Sequence, residues 1–323
     1  MGDLTRIEGV VTAVLTPIDQ LGKPDLGRLQ RHIFQLERDG SNAILLMGTT
    51  GEGPSFSLAE REAVLGSAIE AAGKMQVLVQ TGCASLTDTI NLTRQAFDHG
   101  IRAVLILPPF FFKGVSDNGL YTYYSHILDD AIPSWGKLML YHIPQVTHVP
   151  ITIRLVEMLL KKENTRIAGI KDSEGSIDHL RDYCNHFPQL SIFTGNDQLI
   201  LDSLKAGAVG CVTGVVNVFA ALAVEIVQAF SSGNPVAENL QQQLTAIWRV
   251  LEHYQPYTTL LKALLTLRYE DSGWMSVRAP LDPMSYTLLG EMVVELQKLD
   301  LPKAYEWIRQ ADVSRLKLKE SIE

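Results

Sequence analysis

Eight times in succession this 323-residue chain passes from a short apolar run to a longer stretch with helical spacing. The runs are Val10 to Pro17, Ala43 to Met47, Val77 to Gln80, Ala103 to Leu107, Lys137 to Tyr141, Ile167 to Ile170, Ser191 to Thr194 and Gly210 to Thr213. They are apolar throughout rather than alternating, the pattern of strands in a parallel sheet covered by helices. Helix starts stand between them at Asp25, at the capping box Ser57-Leu-Ala-Glu60, and at Ser85 or Thr87. Eight such units predict a (β/α)8 barrel. A doubly wound sheet would carry G-x-G-x-x-G in its first strand-to-helix turn, where this chain has T-P-I-D-Q-L-G. Residues 1–232 are assigned to the barrel. Residues 233–323, with helical periodicity only (Leu240, Leu244, Ile247, Val250, Leu251), are assigned to a C-terminal helical extension packed on it.

Composition narrows the partners. With 46% hydrophobic and 20% charged residues the chain has ample material for a core, and a net charge of -8 argues against nucleic acid or an anionic membrane. Cys83, Cys184 and Cys211 are odd in number and far apart, giving neither a disulfide framework nor a C-x-x-C pair, so a reducing cytoplasm is the expected home. The N-terminus lacks the basic flank and apolar core of a signal peptide, and Arg6 occupies the position where myristoylation needs Ser or Thr. Ala206 to Val224 carries no charge, but Gly207, Gly210, Gly214, Thr213 and Asn217 divide it into strand, turn and helix rather than a membrane span.

In barrel enzymes chemistry sits at the C-terminal ends of the strands. There this chain offers Thr16, the turn Gly48-Thr49-Thr50-Gly51-Glu52-Gly53, Tyr141-His142-Ile143-Pro144, Lys171-Asp172-Ser173, Gly195-Asn196-Asp197 and Thr213. Lys171 falls where its strand should give way to a loop. A lysine at the inner end of an apolar strand is costly to desolvate while charged, so it is either paired or held neutral. A neutral lysine is a nucleophile able to form a Schiff base with a carbonyl; a surface lysine just past a strand end is the bland alternative. Closely spaced glycines let backbone N–H groups converge on an anion, although Pro54 rules out a Walker A loop and such turns are more often structural. A lone Tyr141 reads as core. Together the three supply a nucleophile, a proton relay and a carboxylate anchor. His142 and His148 lie on a loop with no acidic or cysteine partner near them in sequence, and no H-E-x-x-H or EF-hand pattern occurs, so no metal is expected.

G-T-T-G-E-G (48–53), L-Y-H-I-P (140–144), G-I-K-D-S (169–173), T-G-N-D (194–197) and G-C-V-T-G (210–214) occur in this order. With them the chain resembles the dihydrodipicolinate synthase and N-acetylneuraminate lyase family of class I pyruvate aldolases, from Val10 into the helical tail. The resemblance implies a Schiff base between Lys171 and pyruvate or another 2-oxo acid, with Tyr141 shuttling protons. Thr49, Thr50 and Gly48 would form the carboxylate site, Val212 would line the pyruvate pocket, Gly195 would permit close approach and Ser173 would contact substrate. The protonated imine is an electron sink for the carbanion formed when a C–C bond breaks, so no cofactor is implied. A homotetramer built from dimers is implied, with the strand-four loop near the dimer contact.

Departures bear on the substrate. Dihydrodipicolinate synthases carry a tyrosine pair in the strand-four loop, where this chain has Phe110 and Phe111, and an arginine two residues after Tyr-x-x-Pro, where it has Val146. Sialate lyases share an apolar residue at the latter position. They hold the sugar tail with an acidic pair after strand seven and a serine after strand eight, where this chain keeps Asp197 but has Gln198 and Gly214. The pattern suits a 2-keto-3-deoxy sugar acid, or an aldol with an apolar end on Phe110 to Phe112. The leading expectation is an aldolase that cleaves or forms a pyruvate-derived aldol. The alternatives are a dehydratase of a 2-keto-3-deoxy sugar acid, dihydrodipicolinate synthase itself, and a non-catalytic ligand-binding barrel.

Overall fold

The computed structural model describes residues 7–314. Along the chain run β1 (Gly9–Ala13), α1 (Leu26–Arg38), β2 (Ala43–Leu46), α2 (Leu58–Ala71), β3 (Gln76–Gln80), α3 (Leu86–Asp98), β4 (Ala103–Ile106) and α4 (Asp117–Asp130). They are followed by β5 (Lys137–His142), α5 (Pro144–Thr147), α6 (Ile153–Lys162), β6 (Ile167–Asp172), α7 (Ile177–His186), β7 (Ser191–Thr194), α8 (Ile200–Lys205), β8 (Gly210–Thr213) and α9 (Val216–Ser231). Four further α-helices complete the described chain: α10 (Val236–Leu251), α11 (Tyr257–Arg268), α12 (Tyr286–Gln297) and α13 (Glu306–Arg309). Helix starts follow local chemistry. The Asp25 carboxylate accepts from the Arg28 amide, Ser57 and Glu60 make both halves of the capping box, and Ser85, not Thr87, caps α3.

The strands are all parallel and close in sequential order, with β1 bonded to β8 from Gly9 opposite Gly210 to Thr12 opposite Thr213. This is the (β/α)8 barrel with added C-terminal helices. Because side chains alternate across a strand, two cores form. Leu45, Leu78, Leu105, Met139, Tyr141, Phe193 and Val212 fill the barrel interior, while Val104, Ile106, Leu138, Leu140 and Ile170 face the helices. The added helices belong to the outer core: on α11, Leu260, Leu261, Leu264 and Leu265 are all fully buried, each worth about 1.5–3 kcal/mol relative to exposure. Polar ties bind α11 to the barrel helices as well, since His32 of α1 bonds Tyr269 at 2.8 Å and Asn217 of α9 at 2.9 Å.

The ends of β5 and β6 depart from the sequence-based expectation. The fifth and sixth strands run further than their apolar runs, so Lys171 and Asp172 are paired strand residues rather than the start of a loop. A register shift at Leu138/Met139 then sets Tyr141 opposite Lys171 and His142 opposite Asp172. The uncharged segment 206–224 is divided into β8 and a kinked α9, and among the described residues no helix is long and apolar enough to cross a membrane.

Candidate active site at the C-terminal strand ends

Lys171 points into the barrel, where it is 5% exposed. Among the described residues no carboxylate pairs with it; its Nζ lies instead 4.3 Å from the centre of the Tyr141 ring. Tyr141 is itself 2% exposed. Burial pushes its phenol up, but the Lys171 ammonium, with hydrogen bonding to Thr49, Lys171 and Ser173, outweighs burial and brings it below its ordinary value. A phenol so placed gives up its proton more readily than one merely buried. Thr49 Oγ1 stands 3.4 Å from the Tyr141 hydroxyl, joining the strand pair to the glycine turn.

The Gly48–Gly53 turn doubles back on the end of β2. The Gly53 amide donates to Gly48 O, and a Cβ on Gly53 would stand 1.9 Å from Met47 O, so only glycine fits there. Glu52 adopts φ 56°, uncommon for a residue with a side chain. The turn is held from several sides: Thr16 Oγ1 donates to Gly51 O at 2.8 Å, Arg61 donates twice to Gly53 O, and Thr258 of α11 donates to Thr50 O. Among the described residues no protein acceptor engages the Thr49 and Thr50 amides, which leaves both free for an anion.

Around this centre, Val212 lines the barrel interior beside Tyr141 and Phe193. Ser173, one residue past β6, packs so closely on Gly195 that a Cβ there would meet Ser173 Oγ at 1.9 Å. The close approach anticipated for Gly195 is thus made by a protein side chain. Asp197 is 3% exposed and takes a hydrogen bond from Tyr257 of α11 at 3.0 Å. Its other oxygen and Thr213 Oγ1 are both buried, and among the described residues neither completes a well-aligned hydrogen bond, although Thr213 lies near enough to act on the carboxyl. Burial raises the Asp197 carboxyl to about 6 against the opposing pull of Thr213, Tyr257 and Lys171. Phe111 is not gathered to the centre in the single chain. It is 72% exposed and edge-on to Phe112, whereas Phe110 packs on the interior core. Val146, on the one-turn α5, is also exposed.

The outer faces of the same strand ends correct the expectation that His142 lacks acidic neighbours. His142, Asp172, Glu174 and His179 each bring a potential ligand atom within 4.8 Å of the others, while His148 is exposed and outside the group. The Ile151 amide donates to His142 Nδ1 at 3.0 Å, so in neutral imidazole Nε2 carries the proton; it faces Glu174 at 3.6 Å. His179 Nδ1 bonds Asp172 at 2.8 Å. Burial lowers His142 despite Asp172, and the bond to Asp172 raises His179. Among the described residues His142 Nε2 completes no hydrogen bond to Glu174, while the Asp172 carboxylate is engaged by His179 and by the Glu174 amide.

Sequence reasoning overlooked Arg61, Glu52 as a buried acid, Tyr257 and Lys262. The last had a signal: one lysine within L-L-K-A-L-L, where every neighbour is apolar.

Residues 6–299 match the model of the Dihydrodipicolinate synthetase family. The chain belongs to that family, and it is an enzyme of the lyase class. An uncharacterized DapA-like lyase of Chloroflexus aurantiacus is 40% identical over 280 residues, covering 86% of this chain and 92% of the relative. A 4-hydroxy-tetrahydrodipicolinate synthase of a Synechococcus species is 32% identical over 286 residues, 85% of this chain and 90% of the relative. Among solved structures, YagE, a prophage protein of the dihydrodipicolinic acid synthase family from E. coli K12 in complex with pyruvate, matches with a TM-score of 0.85 at 24% identity, covering 92% of this chain and 99% of YagE.

Proposed function

We propose that this lyase is a class I aldolase that cleaves or forms a pyruvate-derived aldol through an imine on Lys171, with a 2-keto-3-deoxy sugar acid or a related 2-oxo acid as substrate. The observation that carries the reading is the buried pair Lys171–Tyr141, which has no carboxylate partner and abuts a turn with two unengaged amides. Lys171 Nζ adds to the ketone carbon, and loss of water gives the imine. Tyr141, relayed through Thr49, removes the proton of the substrate's C4 hydroxyl. The C3–C4 bonding electrons then move into the protonated imine, leaving an enamine and releasing an aldehyde. Protonation at C3 and hydrolysis of the imine return pyruvate and free lysine. Thr49 and Thr50 hold the carboxylate, Val212 lines the pyruvate pocket, and Ser173, Gly195 and Asp197 border the tail.

Asp197 favours a second reading, dehydration of a 2-keto-3-deoxy acid. A buried carboxyl raised to about 6 is partly protonated near neutrality and so suited to protonate a departing hydroxide. Phe111 and Val146 offer neither a phenolic relay nor a cationic clamp, so condensation of pyruvate with aspartate semialdehyde should be negligible; a rate typical of a dedicated synthase would overturn that assignment. A cytoplasmic homotetramer is part of the proposal, with exposed Phe111 and Phe112 at a subunit contact. The test is mass spectrometry after borohydride reduction with pyruvate. One adduct on Lys171 is expected, and absence of any adduct there removes the imine reading. A screen of 2-keto-3-deoxy acids then separates aldol cleavage, which releases pyruvate, from dehydration, which does not.

A further inference from the structure

Lys262 projects from α11 into the back of the Gly48–Gly53 turn. It is 0% exposed, among fully buried leucines, and it forms an ion pair with Glu52, which is 4% exposed. Lys262 Nζ also donates to Ser276 O at 3.0 Å, and the Arg278 amide donates to Glu52 Oε2 at 3.0 Å. Both of the latter partners come from the segment between α11 and α12.

Thr16, Arg61 and Thr258 hold the turn by its carbonyl oxygens, whereas Lys262 and the Arg278 amide hold it by the Glu52 carboxylate. The pair with Lys262 grips the turn by the side chain of Glu52, the residue held at positive φ two positions after Thr50. Removing one member of a buried pair strands the other as an uncompensated charge, and the cheapest relief is for that charge to move toward water. For Glu52 such a move rotates the turn and carries the Thr49 and Thr50 amides with it. Burial pushes the Lys262 ammonium down, while Glu52 pulls it back up.

We infer that Lys262, a residue of the helical extension, is a positioning residue for the carboxylate-binding turn, acting through Glu52 to hold Thr49 and Thr50 where a 2-oxo acid carboxylate is received. The inference rests on the imine reading above. It adds Lys262 to Tyr257 and Thr258 as residues of the extension that support a site built at the barrel's strand ends.

The test measures borohydride trapping on Lys171 across a range of pyruvate concentrations, beside thermal unfolding, for wild type, K262M, E52Q and the double variant E52Q/K262M. K262M should raise the half-saturating pyruvate concentration tenfold or more, with a much smaller change in trapping rate at saturation. The double variant, which removes both charges at similar volume, should recover most of the affinity. A half-saturation in folded K262M within twofold of wild type overturns the inference. So does an affinity loss that the double variant fails to restore, because that marks a packing role only. Should K262M not fold, E52Q is read in its place against the same limits. If wild type itself traps no pyruvate, the imine reading fails and this inference with it; trapping in wild type with unaltered half-saturation in the variants removes this inference alone.

Discussion

Tyr141 and Lys171 face the barrel interior from β5 and β6, while His142 and Asp172, one residue further along each strand, face the helices. On the inner side a buried amine lies over a phenol ring, and among the described residues no carboxylate pairs with it. On the outer side carboxylates and imidazoles meet: Asp172 accepts from His179 and from the Glu174 amide, and Glu174 stands beside both histidines. Reactivity and cohesion are thus separated by one step of a period-two backbone. A one-residue slip between these strands would exchange them, which gives the register shift at Leu138/Met139 its importance.

The contrast can be broken most directly at Lys171. Lys171→Ala should abolish trapping and lower turnover by about 10⁴-fold or more, since no other group supplies the imine; substantial turnover would remove the inner face as the reactive one. Tyr141→Phe should lower turnover by about 10²–10³-fold while the pyruvate adduct still forms, as loss of a general acid–base predicts. Steady-state kinetics paired with trapping checks both.

Two carboxylates sharpen the comparison with effects of opposite sign. Asp172→Asn weakens the charge-assisted bond to His179 and should lower stability by about 1–3 kcal/mol in urea denaturation, with turnover reduced less than tenfold. Asp197 has a folded pKa raised to about 6, above the ordinary value near 3.9, so the folded state binds the proton more tightly. The contribution of Asp197 to stability is therefore greatest below about pH 4 and declines as pH rises toward about 6. Asp197→Asn escapes that decline and should gain about 1–3 kcal/mol on wild type between pH 4 and 7.5. A gain that does not vary with pH would show that the carboxyl titrates normally.

The smallest effect belongs to His179. Its folded pKa is raised by Asp172, so the bond's contribution is full below the unfolded value near 6.5 and is lost as pH rises through the folded pKa. Partial exposure limits it to roughly 0.5 kcal/mol. His179→Gln should cost most stability at pH 5.5 and least well above neutrality.

Much of this molecule can be read from its residues because local chemistry decides it. Apolar runs mark the strands, and Ser57 and Glu60 mark a helix start wherever the chain goes. The ends of β5 and β6 were less legible: Lys171 and Asp172 are strand residues because the neighbouring ladder carries them, against their own composition. The acidic partners of His142 lie 30 and more positions away and meet it only once those strands pair. Lys262 and Glu52 are further apart still, and a buried ion pair leaves no periodic trace in a sequence. The orientation of Phe111 depends on its surroundings beyond one chain's local pattern.

The Arg278–Glu52 bond spans 226 positions, which has a consequence for how the protein is made. At a synthesis rate of about 5–20 residues per second, the anion turn leaves the ribosome roughly 10–45 s before the segment that steadies it. During that interval Glu52 is without Lys262, and its carboxylate stays in water. The strands of the barrel are all synthesised before α11, so on the proposed mechanism the nascent chain passes through a stage that has Lys171 but lacks the support of the carboxylate-binding turn. On that proposal, catalytic competence is among the last properties the growing polypeptide acquires.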